Sequence, residues 1–337
     1  MPETGLPPWS LFPAVTLDPE SPPLLRADGD GDPVRWAGAH REALRAVVAA
    51  HGCVLVRGLG LRTPGEAAAV FRQLADSLMP DREPFAPRAS HPDGVYSSTS
   101  WPAERQMGMH HELSYALRFP RLLLFACLEA PTEGGATPVA DAEAVLRTLP
   151  ARLTERFERE GWLLCRTYHE GLGISVAEAF GTDDRQAVEG YCRDHGIEFA
   201  WRADGALSTR QRRPAVVRHP VTGRRCWFNQ IAFLSEWTLD TGVRDHLVGL
   251  HGADSLPFTT RFGNGDPIDE DLAWTINEAY EAHLRREPWQ AGDLLLVDNI
   301  RVAHGREPFE GPRAVVVALG DPTRPAGRTP GARARAA

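Results

Sequence analysis

The stretch that most limits how this chain can fold lies near its end. Gly292-Asp293-Leu294-Leu295-Leu296-Val297-Asp298-Asn299 is a continuous apolar run of strand length that stops at polar residues. Shortly beyond it comes His304, in Val302-Ala303-His304-Gly305-Arg306. Nine residues further stands Arg313, opening the β-branched run Ala314-Val315-Val316-Val317-Ala318-Leu319. A strand that delivers a histidine just past its end is a good ligand platform. Arginine's planar fork binds a carboxylate through paired hydrogen bonds, so Arg313 on the next strand suits the far end of a diacid held near His304. Taken singly, the histidine reads as a structural residue and the arginine as a surface ion pair.

Chance sets the standard for a partner to His304. With 12 histidines and 45 acidic residues in 337 positions, roughly one or two His-x-acid pairs arise at random, and the pattern alone means little. The chain has His40/Glu42, His91/Asp93 and His110/Glu112. The first opens a helical stretch from Ala39 to His51, where residues two apart do not share a face. The second sits in His91-Pro92-Asp93-Gly94, which is turn chemistry. After the third, Leu113, Tyr115, Leu117 and Phe119 alternate with Ser114, Ala116 and Arg118, predicting a strand. On a strand, His110 and Glu112 face the same way and His111 points elsewhere. Two imidazoles and a carboxylate around one face of an octahedral ion leave three positions open, the arrangement used by non-haem Fe(II) oxygenases.

Gly134-Gly135-Ala136-Thr137-Pro138-Val139-Ala140-Asp141 adds a glycine reversal followed by a threonine whose hydroxyl suits the same carboxylate. With His110-His111-Glu112-Leu113-Ser114-Tyr115, Trp227-Phe228-Asn229-Gln230 and Asp298 to Arg313, it makes four motifs in order. On these the chain resembles the TauD/TfdA family of Fe(II)/2-oxoglutarate dioxygenases, and within it the syringomycin-hydroxylase-like branch, from about Gly52 to Leu319. The resemblance implies a mainly β fold with flanking helices, a double-stranded β-helix or cupin-like jelly roll. It implies His110, Glu112 and His304 as iron ligands, Thr137 and Arg313 as the 2-oxoglutarate clamp, and O₂ as cosubstrate. His111 departs from the asparagine expected there and, with Asn229, is a candidate substrate contact. Related iron halogenases carry Ala or Gly at the carboxylate position, so Glu112 favours hydroxylation. The implied substrate is an amino acid, free or tethered to an acyl or peptidyl carrier protein, in antibiotic-type biosynthesis. Desaturation and cyclisation use the same ligands, and a non-catalytic cupin-like binding module is the non-enzyme alternative.

Composition excludes rather than selects. A net charge of −8 argues against nucleic acid, leaving Arg210-Gln211-Arg212-Arg213 as a solvated or ion-paired patch or a surface for an acidic carrier protein. Five widely spaced cysteines without Cys-x-x-Cys argue against a zinc or disulfide framework. Without a leader-like segment or a bilayer-length apolar run, a cytoplasmic protein with no membrane partner is expected. The expected layout is an extended segment over 1–33, a single domain over 34–320 and a disordered tail over 321–337. Helices are predicted near 39–51, 64–78, 141–159, 183–195, 240–251 and 267–286, and strands near 53–57, 113–128, 215–218, 225–229, 293–298 and 313–319.

Overall fold

The apolar run that ends at Asp298 is buried on both faces. Strand Leu294–Asp298 lies inside the largest sheet. Leu295 and Val297 join one core with Phe125, Val315 and Val317, whereas Leu294 and Leu296 join another with Leu124, Ala126, Val316 and Ala318. The period of two along each strand sorts the side chains between these cores. Helices Pro33–His51 and Pro64–Leu74 cover the second core through Leu44, Val47, Val70 and Phe71. Each such side chain, removed fully from water, contributes about 1.5–3 kcal/mol before the entropy of ordering is subtracted.

The computed structural model describes residues 15–27 and 31–325. Across the large sheet the strands run Val15–Thr16, Leu24–Arg26, Cys53–Arg57, Leu294–Asp298, Phe119–Glu129, Ala314–Thr323, Val95–Ser97 and Ser90–His91, with Leu78–Met79 also on Ala314–Thr323. Among these neighbours only Leu24–Arg26 and Cys53–Arg57 run parallel. A four-stranded sheet, ordered Leu284–Arg285, Val139–Asp141, Val302–Arg306 and Met107–His110, contributes Met107, Met109, Val139, Ala140 and Val302 to the first core. These two sheets and their outer helices form the expected jelly roll, although their hydrogen-bonded edges do not close into one barrel. A further sheet, Ile197–Trp201, Leu207–Arg213, Trp162–Tyr168 and Phe258–Phe262, carries a small core with helices Val176–Phe180 and Arg185–Asp194.

Local chemistry fixes the ends of these elements. Asp32 caps the first helix by accepting from the Val34 N–H, Pro33 occupies its first turn, and Gly52 ends it at φ 84°. That helix begins before the predicted residue 39, which puts His40 and Glu42 inside it. The helix expected over 141–159 is two, Ala142–Thr148 and Ala151–Glu160. Pro150 disfavours helical geometry at Leu149, whose ψ is 143°. The last strand continues to Thr323, past the expected domain end at 320. Val15–Thr16 and Leu24–Arg26 tie part of the N-terminal segment into the sheet. The rest of that segment, and the tail from 326 onward, lie outside the described residues. Among the described residues, no helix is long and apolar enough to cross a membrane.

The basic run at 210–213 needs correction. It belongs to strand Leu207–Arg213, with Arg210 and Arg212 exposed but Arg213 only 2% exposed. Arg213 donates from Nε to the Tyr115 carbonyl at 2.6 Å and from NH2 to the His195 carbonyl at 3.0 Å. It ties the sheet to the loop after Glu112 and does not belong to a surface patch.

Candidate active site

His110 ends strand Met107–His110, and His304 lies in the middle of the antiparallel strand Val302–Arg306, directly opposite it. The preceding strand therefore does not deliver His304 just past its end; a turn at 299–301 leads into a new strand that carries it. The imidazole centroids are 4.3 Å apart. Arg306 faces Met107, so the register shifts by one residue between the two pairs, leaving a bulge beside Gly108. His110 donates from Nδ1 to the Gly108 carbonyl at 2.8 Å, the arrangement that leaves Nε2 free as a ligand atom.

Glu112 reaches the histidines by a route that strand alternation does not describe. The strand stops at His110, and residues 112–115 form a turn with Leu113 at φ 53°. Regular strand resumes only at Phe119. Leu113 and Tyr115 reach the core from this turn and Phe119 from the start of the next strand, while Leu117 is only half-buried. Asn299 holds this turn, accepting from the Glu112 N–H at 2.8 Å and donating to the Glu112 and Pro120 carbonyls at 2.9 and 2.8 Å. Asp298 accepts from the Ile300 and Arg301 N–H groups and shapes the turn toward His304. Donor atoms of His110, Glu112 and His304 lie within 4.8 Å of one another, and all three residues are buried. From His304 Nε2 to Glu112 Oε2 is 4.0 Å.

Burial lowers the pKa of His110, and it drives His304 well below the usual imidazole range, helped by repulsion from His110 and His111. Both rings are therefore neutral at physiological pH, as metal ligands must be. Arg88 donates from NH2 to Glu112 Oε2 at 2.8 Å and from Nε to Thr99 Oγ1 at 2.9 Å. Burial raises the Asp81 carboxyl to about 6 despite Arg88, whose NH1 lies 3.6 Å from Asp81 Oδ2.

Beside the histidines is a cavity of about 40 Å³ lined by Arg88, Thr137, Arg306 and Arg313 among others. Arg313 meets only neutral acceptors there, the Gly135 carbonyl at 3.0 Å and Ser98 Oγ at 3.5 Å. Burial lowers it to about 10, with Arg306 adding repulsion. A half-buried guanidinium without a carboxylate is a site prepared for one. Thr137 Oγ1 accepts from Trp289 Nε1 at 3.1 Å and lines the same space. Arg306 Nε, Arg88 NH1 and His304 Nδ1 are buried without a hydrogen-bond partner. This donor set fits a metal-chelated dianion.

His111 and Asn229, the candidate substrate contacts, are both turned into the protein. His111 is 0% exposed and shares Nδ1 with the Asn299 carbonyl at 2.6 Å. Asn229 donates to the Ala215 carbonyl at 3.1 Å and accepts from the Ile231 N–H at 3.0 Å. Buried amides and imidazoles are satisfied by nearby backbone first; Asn229 is bonded in this way, whereas His111 keeps its Nε2 buried without a hydrogen-bond partner. Asn299, Arg88, Arg306 and Phe233 escaped the sequence reading. Asn299 and Arg306 stood inside the quoted motifs, whereas Arg88 lies in the aperiodic Phe85-Ala86-Pro87-Arg88 and gives no local signal. Phe233 stacks on His110 with centroids 4.6 Å apart.

A jelly roll presenting two histidines, one carboxylate and an arginine-lined acid pocket has the architecture of the facial-triad non-haem iron oxygenases. The model of the family described as taurine catabolism dioxygenase TauD, TfdA family, matches residues 19–319. The chain belongs to this family and is an Fe(II)/2-oxoglutarate-dependent oxygenase that uses O₂ as cosubstrate. It is 34% identical over 279 residues to the dapdiamide synthesis protein DdaC of Enterobacter agglomerans, covering 83% of this chain and 85% of that protein. A clavaminate synthase-like protein of Arabidopsis thaliana is 29% identical over 282 residues, covering 80% and 81%. Of solved structures, a taurine dioxygenase from Burkholderia xenovorans aligns with TM-score 0.51 and 19% identity, covering 94% of each chain. PvcB from Pseudomonas aeruginosa aligns with TM-score 0.50 and 15% identity over 90% of this chain and 86% of its own. Both share the fold.

Proposed function

We propose that this oxygenase hydroxylates an unactivated C–H bond of an amino acid or an amino-acid-derived substrate, free or carried on an acyl or peptidyl carrier protein, in the biosynthesis of a natural product within the cytoplasm. The observation that carries the reading is the convergence of His110, Glu112 and His304 beside Arg313, a half-buried arginine that lacks an anion. Its likeness to a protein of dapdiamide synthesis supports the biosynthetic setting, and the five unpaired thiols suit a reducing compartment.

In this reading His110, Glu112 and His304 hold the ferrous ion, and Arg313 and Thr137 bind the distal carboxylate of 2-oxoglutarate. When bound, iron and 2-oxoglutarate supply the oxidation, with release of succinate and CO₂. The chain's own residues orient and shield. Gly108 and Asn299 aim His110 and Glu112, and Arg88 steadies the Glu112 carboxylate by donating to Oε2. Phe85 and Phe233 pack around His110 and keep water from it. The carboxylate of Glu112 fills a position that halide would otherwise take, which supports hydroxylation.

The test starts from anaerobic protein with Fe(II) and 2-oxoglutarate, where a chelate absorption band is expected. Succinate release is then measured across free amino acids and the same residues on a carrier protein. Glu112→Ala is expected to abolish both band and succinate. Wild-type succinate formation by that variant would remove Glu112 from the metal site.

A further inference from the structure

A second cavity, of about 370 Å³, lies against the other side of Phe233, well within the size of small-molecule pockets, about 300–1,000 Å³. Its inner wall is Phe233 and Gly108, where an added Cβ would meet the Phe233 ring at 3.3 Å. Its outer wall is helix Glu270–Glu281, presenting Trp274, Glu278, Tyr280 and Glu281. Trp101 closes one side.

Three features set this wall apart. The Tyr280 side chain is 2% exposed, yet its hydroxyl has no hydrogen-bond partner, a state that buried polar groups avoid. Trp274 is 65% exposed, the opposite of what its size favours. Glu278 and Glu281 sit at the carboxyl end of the helix, whose last turn holds no basic residue. Negative charge there is disfavoured by the helix dipole.

We propose that this cavity binds the substrate, and that the substrate carries an organic cation, a primary ammonium or a guanidinium, on a hydrocarbon stem. The proposal rests on the oxygenase reading of the adjoining site. The cation lies at the rim, where Glu278 and Glu281 pair with it and the tryptophan faces attract it. Tyr280 supplies a hydroxyl acceptor for one N–H. The stem runs inward along Met109 and Phe233, and rotation of the Phe233 ring admits the reacting carbon toward His110. An acidic substrate is excluded from the rim by like charge.

Calorimetric titration of the metal-free protein compares lysine, ornithine and arginine with Nε-acetyllysine, norleucine and citrulline. Each ligand is used free and as its N-acetylcysteamine thioester. Each cation is expected to bind about fivefold or more tighter than its neutral counterpart, the range of two solvent-exposed ion pairs. In Glu278→Gln/Glu281→Gln, an exposed pair whose replacement leaves the core untouched, that preference disappears. Equal binding of cations and neutral analogues, no binding of any, or a preference that survives in the double variant overturns the proposal. The Fe(II)/2-oxoglutarate absorption band is recorded on the same wild-type protein. A missing band defeats the oxygenase reading, while the titration decides the cavity by itself.

Discussion

Asn299 does at the scale of one residue what a metal site most needs. It is 0% exposed, and its amide fixes the backbone of Glu112 on both sides, bridging the turn that carries this proposed ligand to the strand pair that carries the histidines. Replacement by Ala strands the Glu112 N–H and two carbonyls in the interior, at about 1–3 kcal/mol for each group left unpaired. For Asn299→Ala the expected outcome is a folded protein with a lower melting temperature and Fe(II) affinity reduced about 10- to 100-fold. Metal titration alongside a thermal melt checks this, and unchanged affinity would show that Glu112 is held by other means. His110 and Glu112 were legible in the sequence, but the reason for their meeting was not. A positive φ at Leu113 leaves no periodic trace, and a turn whose side chains pack on a core mimics strand alternation. The burial of His111 and Asn229 was not legible either, because a polar residue inside a motif looks the same in sequence whether it faces a cavity or bonds to the backbone.

At the scale of elements, the Gly134-Gly135 reversal is the part of the acid pocket that depends on backbone shape. Both glycines have φ of 68°, and a Cβ on Gly135 would lie 2.9 Å from Phe309 Cβ and 3.2 Å from Arg313 Cδ. The Gly135 carbonyl is also the acceptor that aims Arg313. Gly135→Ala costs about 1–2 kcal/mol in left-handed strain alone and displaces the guanidinium. The KM for 2-oxoglutarate is expected to rise about tenfold, equivalent to about 1.4 kcal/mol of lost binding, while Fe(II) affinity stays as in the wild type. Succinate formation against 2-oxoglutarate concentration measures the first, and an unmoved KM contradicts the role given to the reversal. Strands such as Cys53–Arg57 and Leu294–Asp298 were readable because apolar side chains fill both of their faces. Leu207–Arg213 was not, since Thr209, Gln211 and Arg213 are the residues that point inward. Hydrophobic periodicity cannot reveal an element whose buried face is polar and hydrogen-bonded.

For the whole molecule, the site couples stability to pH. Burial lowers the pKa of His110, His111 and His304 below the ordinary 6.5, with His111 down to about 4. The unfolded chain therefore binds these protons more readily. Their contribution is complete above about 6.5 and is lost as the pH falls below it, at up to about 1.4 kcal/mol per pH unit for each group. Asp81, raised to about 6, acts in the opposite sense and stabilises the folded chain as it takes up its proton. Three imidazoles outweigh one carboxyl, so the metal-free protein is expected to melt several degrees lower near pH 5 than near pH 7.5. Differential scanning calorimetry across that interval checks it, and a melting temperature that rises on acidification would contradict the buried neutral histidines. The bulge beside Gly108 carries a different kind of constraint. His304 faces His110 while Arg306 faces Met107, so the extra residue lets both pairings exist at once, with Gly305 pressed against the Met107 carbonyl, where a Cβ would come within 2.8 Å. Gly305 leaves no room for a side chain here, and the register leaves none for an insertion or deletion. A chain lacking only Gly108 would keep every side chain named above and still have to surrender either the histidine pair or the arginine anchor, so the length of this segment constrains the site as much as its residues do.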